Sequence, residues 1–136
     1  MTYYLAKSEP SVYSIDQLEK DGKTVWDGVV NPQAVKAILA MKPGDKVFFY
    51  HSGGMSAIVG LAKVVGAGRP DPKNPKSAVA DLEFVMKLDP PTTLAEVKGS
   101  KKFEQFALVR QSRLSTMAAP EEFVQWMKSR YPKSKF

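Results

Sequence analysis

The sequence has no cysteine and a single histidine, His51. The first absence excludes disulfides and thiolate-held metals, and the second a metal centre built on several imidazoles. No apolar stretch approaches the roughly 18 residues that a membrane-crossing helix needs. The opening residues, MTYYLAKSEP, lack the basic-then-apolar layout of a secretory signal. A cytoplasmic protein with no membrane partner, no metal and no cofactor is the expectation. A phosphate cradle is missing too. Gly66-Ala67-Gly68 leads into a proline-rich stretch, whereas a cradle needs a helix N-terminus behind its glycines. There is no Gly-x-Ser-x-Gly elbow to make a serine nucleophilic.

What is present fits one domain, residues 1–136, with 43% hydrophobic residues to build its core. The net charge is +6. Residues 1–97 hold 11 Lys/Arg and 11 Asp/Glu, whereas residues 98–136 hold 9 and 3, so the whole excess lies at the C-terminal end. Such an end attracts a polyanion in a salt-dependent way. It also serves as an ordinary solubilising surface, and residues 131–136 are expected to form a frayed basic tail.

Local signals outline the elements. Tyr3 to Lys7 is strand-like. Ser14 with Gln17 resembles a capping box, opening a short helix that Gly22 closes. Thr24 to Trp26 is a short extended piece. Asn31-Pro32 is the clearest helix start, with Val35, Ile38, Leu39 and Met41 on one face. Lys46 to His51 and Ala57 to Val65 read as a hairpin pair, and Gly60 inside the second marks a bulge or a close backbone approach. Residues 66–77, with three prolines, read as a long loop. Ala78 to Leu88 is extended, and Thr93 caps a short helix through Val97. A helical piece follows near Lys101 to Phe106. Leu108–Arg110 and Arg113–Met117 look extended, and Pro120 starts a last helix. This predicts an α+β fold: five or six mainly antiparallel strands in a partly closed barrel, with short peripheral helices.

Four polar clusters stand at strand ends or helix starts, where small domains build sites. They are Lys7-Ser8-Glu9, Trp26-Asp27-Gly28 through Asn31, Tyr50-His51-Ser52, and Arg113-Leu114-Ser115. Each has an ordinary reading beside the functional one. Lys7 and Glu9, two apart on a strand, make a surface ion pair as readily as a site. Trp26 is core, or a wall on which a planar ligand stacks. His51 is a hydrogen-bonding residue of a pocket or of the framework; as a general base it has no cysteine to activate and only its neighbour Ser52 beside it.

Taken together, LAKSEP (5–10), WDGVVNPQA (26–34), MKPGDKVFFYHS (41–52), IVGLAKV (58–64) and RLS (113–115) resemble the EVE domain family in family order across nearly the whole chain. The resemblance implies a PUA-like pseudo-barrel, kinship with the YTH readers of methylated bases, and the short bacterial form of the family. It implies a non-enzymatic nucleic-acid-binding domain that reads a modified base, modified cytosine or similar, in DNA or RNA. Carried over by position, it places Lys7, Ser8, Glu9, Trp26, Asn31, His51, Ser52, Arg113 and Ser115 around the ligand, with Trp26 as aromatic wall. Val29 to Val35 departs from the family's common Val-Arg-Asn-Tyr-Gln-Ala-Arg and lacks its two arginines, which implies a weaker hold on a polyanion there. Two other readings compete: a nuclease or RNA-processing hydrolase of the PUA-like group, with His51 or Glu9 as base, and a small-molecule module using the same pocket.

Overall fold

The computed structural model describes residues 1–134 and 136. One six-stranded sheet organises the chain, in the order β2-β5-β4-β3-β1-β6. Its strands are β1 (Tyr3–Ser8), β2 (Lys23–Trp26), β3 (Lys46–His51), β4 (Ala57–Asp71), β5 (Asn74–Thr93) and β6 (Thr116–Ala118). The β1–β3 pairing is parallel and the other four are antiparallel. Five short helices surround the sheet: α1 (Ile15–Asp21), α2 (Pro32–Leu39), α3 (Leu94–Gly99), α4 (Ala107–Arg110) and α5 (Glu121–Arg130). The sheet does not close, because β2 and β6 are its two edges. Helix α2 packs against both β5 and β6, which lie toward opposite ends of the strand order, and so spans the gap. This is the pseudo-barrel expected from the sequence.

Strand β3 explains why both sides of the sheet are filled. Its neighbours Phe48 and Phe49 point to opposite faces, and both are fully buried. Phe48 meets Tyr3, Phe123 and Phe136, with ring centroids 5.5–5.7 Å apart. Phe49 meets Trp26 at 5.6 Å and Tyr13 at 6.5 Å. One face therefore carries α5, and the other carries the aromatic cluster that leads to the site.

The helix starts are locally encoded. Ser14 Oγ accepts from the Gln17 amide, and Asn31 Oδ1 accepts from those of Gln33 and Ala34. Thr93 and Glu96 form a full capping box. Gly60 lies at a register shift, and a Cβ on it would stand 2.3 Å from Ile15 Cδ1, so the glycine admits α1 against the sheet.

Three local expectations need correction. Residues 66–77 are not a long loop: β4 runs on to Asp71, turns at Pro72-Lys73 and returns as β5 from Asn74. β3 pairs with β4 only through Lys63, so beyond it β4 has one strand neighbour, β5. An outer edge tolerates proline, whose missing N–H costs no ladder bond there. Residues 108–110 are helical, and the stretch 101–106 is made of turns. Of the expected strand 113–117, only Thr116 and Met117 pair, with Ala118 beside them. These pieces are too short for their apolar residues to show a period, so tertiary packing decides between helix and strand. Of the tail, residue 135 lies outside the described residues. Tyr131 Oη donates to the Pro90 carbonyl at 2.5 Å, and the Phe136 ring packs on Phe48 and Tyr131.

Candidate functional site

Strand β1 ends in Lys7 and Ser8, and strand β2 ends in Trp26. Around these ends lies a cavity of about 530 Å³, within the usual range for small-ligand sites. β1 and the turn after it supply Lys7, Ser8, Glu9, Val12 and Tyr13. β2 supplies Thr24, Val25 and Trp26. The loop from Asp27 to Asn31 forms a further side, and Ser115 enters from just before β6. A backbone bond from the Lys7 N–H to the Ser115 carbonyl, 2.8 Å, joins the first and last of these pieces.

Trp26 is the residue expected as aromatic wall, and it is among those that line the cavity. It is 8% exposed and meets Phe49 edge-on. Its indole N–H is buried and has no hydrogen-bond partner among the described residues. Buried donors in native proteins are nearly always paired, so this one is an exception. The loop beyond Trp26 is held from behind. Val29 is buried, its carbonyl accepts from the buried Ser77 hydroxyl, and Asn31 caps α2. The Asn31 side-chain carbonyl is occupied by the cap, which uses none of the donors of its amide NH₂.

The KSEP stretch is similarly divided. Lys7 Nζ donates to the Ser112 carbonyl at 3.0 Å and lies 5.6 Å from the Tyr50 ring centroid. Burial pushes its pKa down, and two of its three N–H donors remain beyond the Ser112 bond. The Ser8 hydroxyl donates to the Tyr13 carbonyl at 2.6 Å and so fixes the turn. Glu9 is exposed, and its Oε2 lies 3.5 Å from where a Cβ on Gly53 would stand. Asp27 is likewise exposed, so two carboxylates line the cavity.

Six of the nine residues expected at the site therefore line one cavity: Lys7, Ser8, Glu9, Trp26, Asn31 and Ser115. His51, Ser52 and Arg113 are not among its lining residues. His51 Nε2 accepts from the Ile15 N–H at 3.1 Å, so the imidazole completes the start of α1 from 36 residues away. The Ser52 N–H donates to the Ser8 carbonyl at 3.0 Å and holds the β3 exit beside β1. Ser52 and Arg113 are exposed. Of the described basic residues of the C-terminal end none is among the lining residues of the cavity; Arg130 pairs with Glu96, and Lys128 lies over the Tyr3 ring. Sequence reasoning did not single out Val12, Tyr13, Thr24 or Val25. Thr24 was within reach, since strand alternation puts it on the face of Trp26. Tyr13 was not, because its ring finds Phe49 only in the folded chain.

His51 carries a pH consequence. Burial lowers its pKa from the usual 6.5, and the nearby Asp16 carboxylate opposes that shift without reversing it. Below pH 6.5 the unfolded chain therefore binds the proton that the folded chain resists, so stability falls as pH drops through that window. Protonation also removes the acceptor of the Ile15 N–H. The thermal midpoint is expected to fall between pH 7.5 and pH 5.5, and His51→Gln to lower it at neutral pH while flattening that dependence. Parallel profiles for the two proteins would refute the assignment.

Comparison with known proteins agrees with this architecture. The model of the EVE domain matches residues 2–129. Thymocyte nuclear protein 1 of Rattus norvegicus is 36% identical over 71% of this chain and 55% of its own length. The chain thus spans about half the length of such relatives. Protein Atu2648 from Agrobacterium tumefaciens superposes with a TM-score of 0.89 at 34% identity, covering 100% of both chains. Human THYN1 protein, solved in complex with 5-methylcytosine-containing DNA, superposes at 0.87 with 29% identity, over 98% of this chain and 99% of that one. The YTH domain of Zygosaccharomyces rouxii MRB1 protein shares the fold at 16% identity, with a TM-score of 0.60 over 98% and 90% of the two chains.

Proposed function

The chain belongs to the EVE domain family, and on that footing we propose that it is a non-enzymatic reader holding one modified base of DNA or RNA in the cavity walled by Trp26. The convergence of Trp26 with Lys7, Glu9, Asp27 and Asn31 on one cavity carries this reading: an aromatic residue ringed by charged and polar groups suits a planar ligand with a polar edge. The groups around it suit such an edge. Glu9 and Asp27 accept from exocyclic amines, and Lys7 and the Asn31 amide donate to carbonyls or phosphate. The complex of human THYN1 with 5-methylcytosine-containing DNA lends the ligand class. Of the two bases the enzyme alternative offers, His51 accepts from the Ile15 N–H and is not among the cavity-lining residues, whereas Glu9 is. Glu9 and Asp27 are the candidate bases left there.

The test is titration of fluorescent oligonucleotides carrying cytosine or 5-methylcytosine, at two salt concentrations. A preference for the methylated strand is expected, weakening as salt rises. Glu9→Ala is expected to cost roughly tenfold in affinity, about the worth of one hydrogen bond to a charged group. Equal affinity for both strands in wild type would refute modified-cytosine reading, and unchanged binding by Glu9→Ala would remove Glu9 from the site.

A further inference from the structure

Large apolar side chains are exposed at seven described positions, and three of them, Val12, Val25 and Val30, line this one cavity. Scattered exposed apolar residues need no explanation; a concentration around one opening does. Val12 and Val30 are 80% and 64% exposed, so neither owes its place to the core.

Both stand on loops fixed on either side of them. The Val12 and Tyr13 N–H groups donate to the Glu9 carbonyl, each at 2.9 Å, and the Tyr13 carbonyl is held by the Ser8 hydroxyl. Pro10 stiffens the same turn. Val30 sits between Val29, which is buried and held by Ser77, and Asn31, which caps α2. A β-branched side chain is restricted at χ1, so less freedom remains for contact to remove than in an unbranched one. Two separate loops thus present a stiff, water-exposed aliphatic group beside an opening built for a planar ligand.

We propose that Val12 and Val30 enter the base stack as the cavity takes up its base, filling the space the base leaves, so that this protein extracts its base from a duplex. The proposal rests on the base-reading use of the cavity and adds the form of nucleic acid it acts on. The physical need is plain. Extrusion of a paired base costs a few kcal/mol of lost stacking and pairing, and apolar wedges inserted at the vacated step are the recurrent means of offsetting it. A single strand imposes little of that cost, so a protein limited to single strands gains nothing from a wedge. Polar contacts at the rim would serve equally well there and would not expose valines to water.

The test compares one 5-methylcytosine oligonucleotide as a single strand and as a duplex, with 2-aminopurine placed beside the methylated base. Wild type is expected to bind both and to raise 2-aminopurine fluorescence in the duplex as the stack opens. Val12→Ser and Val30→Ser, both at exposed positions, are expected to lose about tenfold in duplex affinity together with the fluorescence rise. Because both residues line the cavity, a smaller loss on the single strand is also expected, and the reading is the ratio: duplex affinity falls at least about fivefold more than single-strand affinity. Leu39→Gln, exposed on α2 outside the cavity lining, should leave both unchanged. Wild type that binds only single strands overturns the wedge while base reading stands. Equal losses on both substrates, or none, overturn it as well. Wild type that binds neither form overturns both readings.

Discussion

Replacing Trp26 with alanine is expected to lower folding stability by about 3–5 kcal/mol and to abolish binding in the cavity. The stability cost follows from packing. The indole is 8% exposed and packs edge-on against the buried Phe49 ring, so its removal leaves a hole beside that ring. The binding cost follows from the loss of the wall itself. Because the two effects arise together, Trp26→Phe separates them. Phenylalanine keeps an aromatic face but removes the N–H that lies buried without a partner. Losing an unsatisfied donor offsets part of the lost volume, so its stability is expected within about 1–2 kcal/mol of wild type. Urea unfolding reads the first quantity and oligonucleotide titration the second. A Trp26→Phe protein that is stable but binds about tenfold more weakly assigns the indole N–H to the ligand. One that binds like wild type would show that only the ring face matters.

How legible the site was in the sequence depended on the range of the interactions that build it. The end of β1 and the capped start of α2 are local events. Alternation, a proline after Glu9 and an Asn-Pro pair were enough to bring Lys7, Ser8, Glu9, Trp26 and Asn31 to notice, and these residues do converge. Ser115 came to notice as the end of the polar cluster Arg113-Leu114-Ser115, and resemblance to the EVE family then placed it at the ligand. His51 shows the opposite case. Its ring answers an N–H 36 residues away, and nothing near VFFYHS announces that partner. Arg113 was read as strand, but pairing begins only at Thr116, so the alternation that would have aimed it does not apply. The valines at the opening were invisible for another reason. An isolated valine in a loop has no pattern, and its exposure is known only once the core has taken the others.

The largest misreading, residues 66–77, leads to the second strong expectation. Three prolines and no apolar period read as a long loop, yet Gly68 is among the tightest backbone approaches in the molecule. A Cβ on it would lie 1.8 Å from the Ile38 carbonyl oxygen, 2.7 Å from its carbon and 2.9 Å from Leu39 Cα. The Gly68 N–H also donates to the Met41 carbonyl at 3.0 Å. Strand β4 is therefore laid directly on the C-terminal end of α2, backbone on backbone. No flexible side chain is there to give way, so Gly68→Ala must push the helix off the sheet. A loss of about 3 kcal/mol or more is expected. Gly66→Ala is an intermediate case. Its Cβ would meet the Asp81 carboxylate oxygen at 1.9 Å, which can swing away at the cost of its exposed pair with Arg69, worth about 1 kcal/mol at most, but it would also stand 2.8 Å from Asp81 Cβ, which yields only if the β5 backbone shifts. Gly99→Ala, with open space around the Cβ, is expected to be neutral or slightly stabilising. The helix displaced by Gly68→Ala begins at Asn31 and carries one side of the cavity on its N-terminal loop, so ligand affinity should fall although Gly68 lines no part of that cavity. Unfolding midpoints of the three variants would decide the matter. A Gly68→Ala protein as stable as Gly99→Ala would mean that α2 is not seated on β4 as described, and the rigidity ascribed to the Asp27–Asn31 loop would go with it.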